Sequence, residues 1–305
     1  MAENTVKKIA TRESYGNSLK ELAEEFPNLV VLDADLAAAT KTGIFRKAYP
    51  DRHIDCGIAE SNMMGVAAGL SLVGKIPFVS SFAMFAAGRA FEQVRNSIGY
   101  PHLNVKIGAT HAGITVGEDG ATHQCNEDIA LMRTIPGMVV MCPSDDVEAR
   151  AAVRAALEYE GPVYIRFGRA AVPVINDHPG YHFEIGKGTV VREGKDVTIV
   201  ATGICVDSAL GAAKMLEEEG ISAEVVNICT IKPLDEEIIL NSAKKTGKVV
   251  TVEEHSVIGG LGSAVCDCLC ANHPVPVKKV GMQDVFGESG SAAALVEKYG
   301  LDAKG

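Results

Sequence analysis

Short apolar runs alternate with longer amphipathic stretches along most of this chain. In the first half, the runs favour strands at 29–33, 53–56, 77–80, 103–109, 138–141 and 163–166, and the stretches favour helices at 13–25, 60–73, 85–98, 126–133 and 147–159. The strand runs are apolar throughout instead of alternating, so both faces of their sheet should be covered. The pattern therefore predicts a parallel α/β domain.

The pattern breaks between residues 170 and 188, where prolines and glycines occur without a helical period. A second α/β set follows, with strands at 197–201, 223–227, 248–253 and 275–280 and helices at 208–219, 235–244 and 262–271. The chain is therefore predicted to form two doubly wound, mostly parallel-sheet α/β domains. We expect them at 1–172 and 189–305, joined by a linker at 173–188.

Composition narrows the class of protein. The 305 residues are 47% hydrophobic and 22% charged, which is typical of a globular chain with enough residues for two cores. The net charge is −10 and no basic cluster occurs, which argues against a nucleic-acid partner. No apolar signal region opens the chain and no apolar run is long enough to span a membrane, so we expect a cytoplasmic protein.

Eight cysteines are spread along the chain without a CxxC pair, and we expect free thiols. The run "CDCLC" at 266–270 suggests a metal site, but only Cys266 and Cys270 would share a helix face, and no further ligand cluster is evident. Small buried residues are the favoured interpretation. The run "GGLGSA" at 259–264 lacks the third glycine of a nucleotide-binding fingerprint and is interpreted as a tight turn.

Glu60 is a lone carboxylate at the start of an apolar segment. No other charge follows it until Lys75. Burial disfavours a charged group, so we expect a neutral, proton-sharing carboxyl group of the kind that serves in catalysis. The alternative is an ordinary glutamate at a helix start, where its charge complements the helix dipole.

Two aromatic residues follow the predicted strand at 77–80. Phe82 and Phe85 occur close together in a chain with only 5% aromatic residues. They are interpreted as a stacking surface, with an ordinary core position as the alternative.

A glycine-rich loop at 107–128 carries a second group of polar residues. His111 and His123 bracket Glu118 and Asp119 in this loop, which follows a predicted strand. Because α/β folds bind ligands at the carboxyl ends of parallel strands, the loop is interpreted as an acid–base site. A surface loop with incidental histidines is the alternative.

Three segments, in this order and spacing, resemble the pyrimidine-binding domain of transketolase: "GIAESNMMGVAAGLSLVGKIPFVSSFAMF", "THAGITVGEDGATHQ" and "IPGMVVMCPSD". The later "VTVEEHSVIGGLGSAV" resembles the carboxy-terminal domain of the same thiamine-diphosphate superfamily. The resemblance covers essentially the whole chain but only the second half of a full-length transketolase. Deoxyxylulose-phosphate synthases are similar but usually carry arginine where this chain has His111. Beta subunits of pyruvate-type dehydrogenases lack the histidine-bracketed loop.

The resemblance implies cofactor roles for several residues. Glu60 would hydrogen-bond a pyrimidine ring nitrogen of thiamine diphosphate and so promote loss of the thiazolium proton. Phe82 and Phe85 would flank the aminopyrimidine, and Asp35 would lie near the cofactor. His123 would lie beside the reactive thiazolium carbon as a second catalytic residue.

The resemblance also implies a sugar-phosphate site. The residues that match its substrate-binding positions are Arg12, His111, Asp119 and Arg169. Asp119 would contact the sugar hydroxyls, and the two guanidinium groups suit a phosphate. Ala39 stands where the family has a phosphate-site serine, and Gly88 stands where it has a pyrimidine-pocket tyrosine.

One family motif is absent from the sequence. Thiamine enzymes hold the diphosphate through Mg²⁺ on a Gly-Asp-Gly motif followed by a distant asparagine, and neither element occurs here. The resemblance therefore implies the C-terminal subunit of a split transketolase, without a metal site of its own, that transfers a two-carbon ketol unit between sugar phosphates. An N-terminal subunit would supply the metal site, and self-association through the pyrimidine domains would give a heterotetramer. The alternatives are a 2-oxo acid dehydrogenase beta-type subunit, a deoxyxylulose-phosphate-synthase-like enzyme and a non-catalytic assembly module.

Overall fold

Fourteen strands form three sheets in residues 7–305, which are the part of the chain that the computed structural model describes. The strands are β1 (Lys8–Ala10), β2 (Leu29–Asp33), β3 (His53–Asp55), β4 (Ile76–Phe82), β5 (Lys106–Thr110), β6 (Val139–Met141), β7 (Val163–Arg166), β8 (Ala171–Pro173), β9 (Thr189–Arg192), β10 (Val197–Ala201), β11 (Ala223–Asn227), β12 (Thr230–Lys232), β13 (Val249–Ser256) and β14 (Val277–Met282). Four of them, β2, β7, β10 and β11, have the predicted bounds.

Helices connect most of these strands. They are α1 (Thr11–Leu22), α2 (Ala37–Thr40), α3 (Gly43–Ala48), α4 (Glu60–Leu72), α5 (Phe91–Gln93), α6 (Asp128–Arg133), α7 (Asp146–Glu158), α8 (Cys205–Glu218), α9 (Glu236–Thr246), α10 (Leu261–Asn272) and α11 (Ala292–Lys298). Two π-helical segments, Met84–Arg89 and Val94–Gly99, flank α5, so the single helix predicted at 85–98 is wrong in type. In residues 7–305, no helix combines the length and apolar character needed to cross a bilayer.

The first sheet has seven strands in the order β12-β6-β7-β5-β4-β2-β3. All neighbours are parallel except β12 and β6. Helices α1 and α7 pack on one face, through residues such as Leu19 and Val153. Helices α4 and α6 cover the other face, through residues such as Met63 and Met132. Burial of both faces explains why its central strands are mostly apolar instead of alternating.

The second sheet has five strands in the order β14-β13-β10-β11-β9, with only β9 antiparallel to its neighbour. Helix α8 packs on one face, and α9 and α10 pack on the other. The predicted α/β class with two mostly parallel sheets is therefore confirmed.

Two short strands cross the predicted divisions of the chain. Strand β12 follows β11 in sequence but joins the edge of the first sheet, antiparallel to β6. Strand β8 lies within the segment 170–188 that was predicted to be irregular, and it pairs with β1. Both are too short to show a hydrophobic period, and their positions depend on partners distant in sequence.

The carboxyl ends of β2, β3, β4 and β5 lie side by side at one edge of the first sheet because these strands are adjacent and parallel. The loops that leave this edge lead into α2, into Glu60 at the start of α4, into the first π-helical segment and into the loop that follows β5. Residues distant in sequence are thereby collected at one place.

Candidate active site

Glu60 is the first residue of α4 and is only 2% exposed. Nη1 of Arg89 donates to both of its carboxylate oxygens at 3.0 Å. The sequence pattern predicted an isolated carboxyl group, whereas the structure gives Glu60 a cationic partner within hydrogen-bond distance. Arg89 was missed because it lies 29 positions away in sequence, at the end of a π-helical segment.

A stack of aromatic rings adjoins this ion pair. The Arg89 guanidinium lies over the Phe85 ring at 4.5 Å, and Phe85 stacks on Phe82 at 5.8 Å with 13° between the ring planes. His111 stacks on Phe82 at 3.9 Å, and His123 meets Phe85 edge-on at 5.4 Å. Phe82 ends β4 and Phe85 lies in the first turn of the π-helical segment that follows.

His111 is buried at the end of this stack. Its Nε2 lies 3.1 Å from Nη1 of Arg12, and its Nδ1 lies 2.9 Å from the Thr110 hydroxyl. Because arginine can only donate, Nε2 is the acceptor and the proton sits on Nδ1. Burial, followed by the charge of Arg12 and smaller effects of nearby charges, lowers the pKa of His111 to about 3.

Arg12 connects the aromatic stack to helix α2 through hydrogen bonds at both ends. It donates to the Ala39 carbonyl at 2.9 Å. Its Nε is buried and has no hydrogen-bond partner among the described residues. An unpaired buried donor is costly, so this nitrogen is available to an incoming acceptor.

Arg12 and Arg169 line one polar cleft of about 410 Å³ together with Lys8 and Arg150. Arg169 also donates to the Val116 carbonyl and pairs with Glu118 at 2.9 Å. Four cationic side chains against one acidic residue, Glu13, around the cleft favour an anionic ligand. Lys8 and Arg150 were not predicted, because only the packing of β1 and α7 brings them to this cleft.

The two predicted acidic residues lie outside this network of contacts. Asp35 follows β2 with a φ of 60° and is exposed, and its N–H donates to Asp55. Asp119 is exposed on the glycine-rich loop. Close to Asp35 in sequence, the buried carboxylate is Asp33 at the end of β2. It accepts hydrogen bonds from the hydroxyl groups of Thr40 and Thr42 and so fixes the position of α2.

The structure is thus a pair of α/β domains with a candidate ligand site at the carboxyl ends of the parallel strands of the first sheet. Comparison with known proteins identifies the family. Residues 7–174 match the transketolase pyrimidine binding domain, and residues 186–305 match the transketolase C-terminal domain. The chain belongs to the transketolase family, which confirms the resemblance drawn from its sequence. Proteins of this family use thiamine diphosphate.

Relatives of similar length are C-terminal sections or subunits. A putative transketolase C-terminal section from Methanocaldococcus jannaschii is 52% identical, over 96% of this chain and 92% of its own length. A 6-deoxy-6-sulfo-D-fructose transketolase subunit from Clostridium sp. is 50% identical, over 96% and 91%. The chain is thus a C-terminal subunit of the transketolase type.

Solved structures agree. A split-gene transketolase described as an inactive beta4 tetramer is 59% identical, with a TM-score of 0.89 over 98% of this chain and 95% of that chain. The transketolase from Campylobacter jejuni is 26% identical, with a TM-score of 0.82 over 98% of this chain but 46% of that chain. The chain therefore spans about half the length of such a transketolase.

Proposed function

We propose that this chain is the C-terminal subunit of a thiamine-diphosphate-dependent transketolase that transfers a two-carbon ketol unit from a ketose phosphate to an aldose phosphate. The observation that carries the proposal is the continuous series of contacts from Glu60 through Arg89, Phe85 and Phe82 to His111. This series joins a buried carboxylate, a stacking surface and, through Arg12, a cationic cleft.

The side chains fit the pyrimidine half of the cofactor. Glu60 is a buried carboxylate whose single cationic partner is 52% exposed and can move, so an oxygen is available for a ring nitrogen. Phe85 is half-buried and offers an aromatic surface for stacking. When bound, thiamine diphosphate supplies a carbon that can hold the ketol unit. Glu60 would hold a proton at the pyrimidine ring, and Asp35 is proposed to lie near the cofactor.

The substrate would lie between the histidines and the cationic cleft. His123 is half-buried against Phe85 and is proposed to face the reacting carbon. Neutral His111 would orient the sugar, and Asp119 would contact its hydroxyl groups. Arg12 and Arg169 would hold the phosphate, as planar guanidinium groups suit this anion.

We further propose that an N-terminal subunit completes the site. The sequence has no Gly-Asp-Gly motif, and related chains of the same extent are named as subunits or sections. A similar chain assembled as a beta4 tetramer is described as inactive. The partner would carry the Mg²⁺–diphosphate site, and two copies of each chain would form a heterotetramer.

We also propose a cytoplasmic location and a sugar-phosphate substrate. The eight cysteines are unpaired, which suits a reducing compartment. Relatives named for 6-deoxy-6-sulfo-D-fructose and apulose 4-phosphate indicate that the sugar varies within this family. Ala39 in place of the family serine favours a phosphate site built mainly from arginines.

Reconstitution tests the proposal directly. The purified chain would be mixed with an N-terminal transketolase subunit that carries Gly-Asp-Gly, with magnesium and with thiamine diphosphate. We expect transfer from xylulose 5-phosphate to an aldose phosphate, and no transfer by either chain alone. Transfer by this chain in preparations free of partner would overturn the split-subunit proposal. Turnover that required pyruvate instead of a ketose donor would favour the synthase-like alternative.

The Glu60→Gln variant tests the catalytic assignment in the same complex. Loss of a proton-sharing or electrostatic group of this kind typically lowers turnover by about 100-fold or more. We expect such a loss with unchanged folding by circular dichroism, because glutamine keeps the volume of the side chain. Near wild-type hydrogen exchange at the thiazolium carbon would contradict the role of Glu60.

A further inference from the structure

The loop between His111 and His123, called here the histidine loop, is closed at its base by a short neck. The Gly113 N–H donates to the Cys125 carbonyl at 2.8 Å, and Gly113 has a φ of 74°. The proposed substrate residues on this loop therefore depend on how the neck is held. Within the loop, the 3₁₀ turn Ile114–Val116 is fully buried.

One support of the neck comes from the second sheet. Glu254 lies in β13, is 3% exposed, and accepts the Thr115 N–H through Oε1 at 2.7 Å. A methyl group on Gly113 would come within 2.2 Å of the Glu254 carboxylate carbon. The close approach and the positive φ together explain why glycine occupies this position.

Arg166 links this support to the other end of the loop. Its Nη2 donates to the Glu254 carbonyl at 2.7 Å and to the Cys125 carbonyl at 3.2 Å. Its Nη1 lies 3.9 Å from Oε2 of Glu254, and its Nε is bound to Asp128. Loss of the Glu254 carboxylate would therefore leave Arg166 bound to Asp128 and to the Cys125 carbonyl but would remove the hydrogen bond between Glu254 and the Thr115 N–H.

The neighbouring residue, Glu253, is buried like Glu254 but makes different hydrogen bonds. Glu253 is 1% exposed, and its oxygens accept the N–H groups of Leu261 and Gly262 at 2.7 and 2.8 Å. It caps α10 and makes none of the hydrogen bonds that hold the histidine loop. Glu253 is thus a matched control for the burial and charge of Glu254.

We propose that Glu254 is a positioning residue through which the C-terminal domain fixes the histidine loop, and with it His111 and His123, for ketol transfer. The proposal deepens the proposed function and rests on it for the catalytic consequence. Its structural part, the local support of Thr115 by Glu254, can be measured without activity. Glu254 itself touches neither of the two histidines in the contacts described.

Hydrogen exchange on the full chain tests the structural part. Glu254→Met keeps the side-chain volume but removes the acceptor, and should raise amide exchange in residues 111–125 by about tenfold or more. Glu254→Gln keeps an acceptor oxygen and should retain most of the protection. Glu253→Met should raise exchange at the start of α10 and leave residues 111–125 as in the wild type. Gly113→Ala leaves the carboxylate in place and should displace the loop even if Glu254→Met fails to fold.

The reconstituted complex tests the catalytic part. Glu254→Met should lower kcat/KM for the sugar phosphates by about tenfold or more, with the KM for thiamine diphosphate unchanged, because Glu60 lies at the start of α4, outside the histidine loop. Glu254→Gln should recover most of the loss.

Two results would overturn the proposal: unchanged loop exchange in Glu254→Met, or equal loop opening in Glu253→Met. Absence of ketol transfer in the wild-type complex would instead overturn the proposed function, while the exchange result would still decide the structural role of Glu254.

Discussion

His111 shows at the scale of one residue how the fold sets a chemical state. The ring is buried between Phe82 and the Arg12 guanidinium, and both burial and the nearby positive charge disfavour a second proton. The neutral ring accepts a hydrogen bond from Arg12 at Nε2 and donates one to the Thr110 hydroxyl from Nδ1, so it holds Arg12 in place without carrying charge.

We expect His111 to stay neutral from about pH 8 to about pH 5, in contrast to a free histidine. Its pKa is lowered from 6.5 to about 3, so its contribution to stability is complete above pH 6.5 and is lost as the pH falls toward 3. Nitrogen-15 NMR of labelled histidine would show one Nδ1-protonated ring without titration over this range. A His111→Gln variant identifies that signal, and titration near pH 6 would contradict the burial argument.

The ion pair between Arg169 and Glu118 is exposed to solvent. Arg169 is 39% exposed, and its partner Glu118 is 68% exposed. Such exposed pairs contribute little, about 0–1 kcal/mol, so a phosphate can displace Glu118 at small cost.

We therefore expect Arg169→Ala to raise the KM for phosphorylated acceptors by about 10- to 100-fold, since a charge-assisted hydrogen bond contributes about 1.5–3 kcal/mol. Acceptors without phosphate should be affected far less. Steady-state kinetics of the reconstituted complex with both acceptor types would measure the difference. Glu118→Gln serves as the control and should leave phosphate binding intact. Equal losses for both acceptors would show that Arg169 does not bind phosphate.

At the scale of elements, the site depends on the close packing of α1 against the end of α2, at Lys41. A Cβ on Gly16 would lie 2.4 Å from the Lys41 carbonyl oxygen and 2.9 Å from its carbonyl carbon. Helix α1 carries Arg12, and helix α2 carries the Ala39 carbonyl to which Arg12 donates. Glycine at position 16 thus permits the contact that orients Arg12.

The Gly16→Ala variant should be destabilised by about 1–3 kcal/mol, because backbone atoms must move to admit the methyl group. The same shift should weaken the Arg12–Ala39 bond and raise the KM for sugar phosphates. Denaturant unfolding and kinetics of the complex would measure both effects. Lys20→Ala, on the exposed side of α1, is the control and should change neither. If the stability and the KM of Gly16→Ala were those of the wild type, the end of α2 at Lys41 would be free to move away from α1.

At the scale of the whole molecule, α4 has a face that none of residues 7–305 covers. Gly65 and Gly69 have no atom within 4 Å of an added Cβ, and Leu72 and Val73 are both 73% exposed. A helix that is apolar on all sides is usually buried, so this face indicates a subunit contact. Glu60 begins the same helix, which places the proposed cofactor site next to that contact.

Gly65→Leu should leave the fold of each chain intact and prevent the assembly from forming, because the added side chain fits the open space of a single chain but not a packed interface. Sedimentation velocity with and without the partner subunit would measure the change. The control is Lys214→Leu, which adds the same apolar group to an exposed position of α8. Unchanged assembly of Gly65→Leu would show that α4 does not form the contact.

The sequence by itself determined several of the strands and the family of this protein, because both depend on short contiguous segments. Strands β2, β7, β10 and β11 were predictable to the residue because a parallel sheet covered on both faces favours short runs that are mostly apolar. The family was recognisable because its motifs are contiguous segments. The substrate and cofactor roles assigned to individual residues, including Asp35 and Asp119, stay predictions.

Only the tertiary structure decided which distant residues meet. Arg89 pairs with Glu60 across 29 positions, Glu254 binds Thr115 across 139, and β12 joins the first sheet after the second has begun. Hydrophobic periodicity carries no information about such contacts, because they depend on strand order and on the packing of one sheet domain against the other. The sequence therefore determined the elements and the family, and the packing of those elements decided the charge partners and the supports of the site.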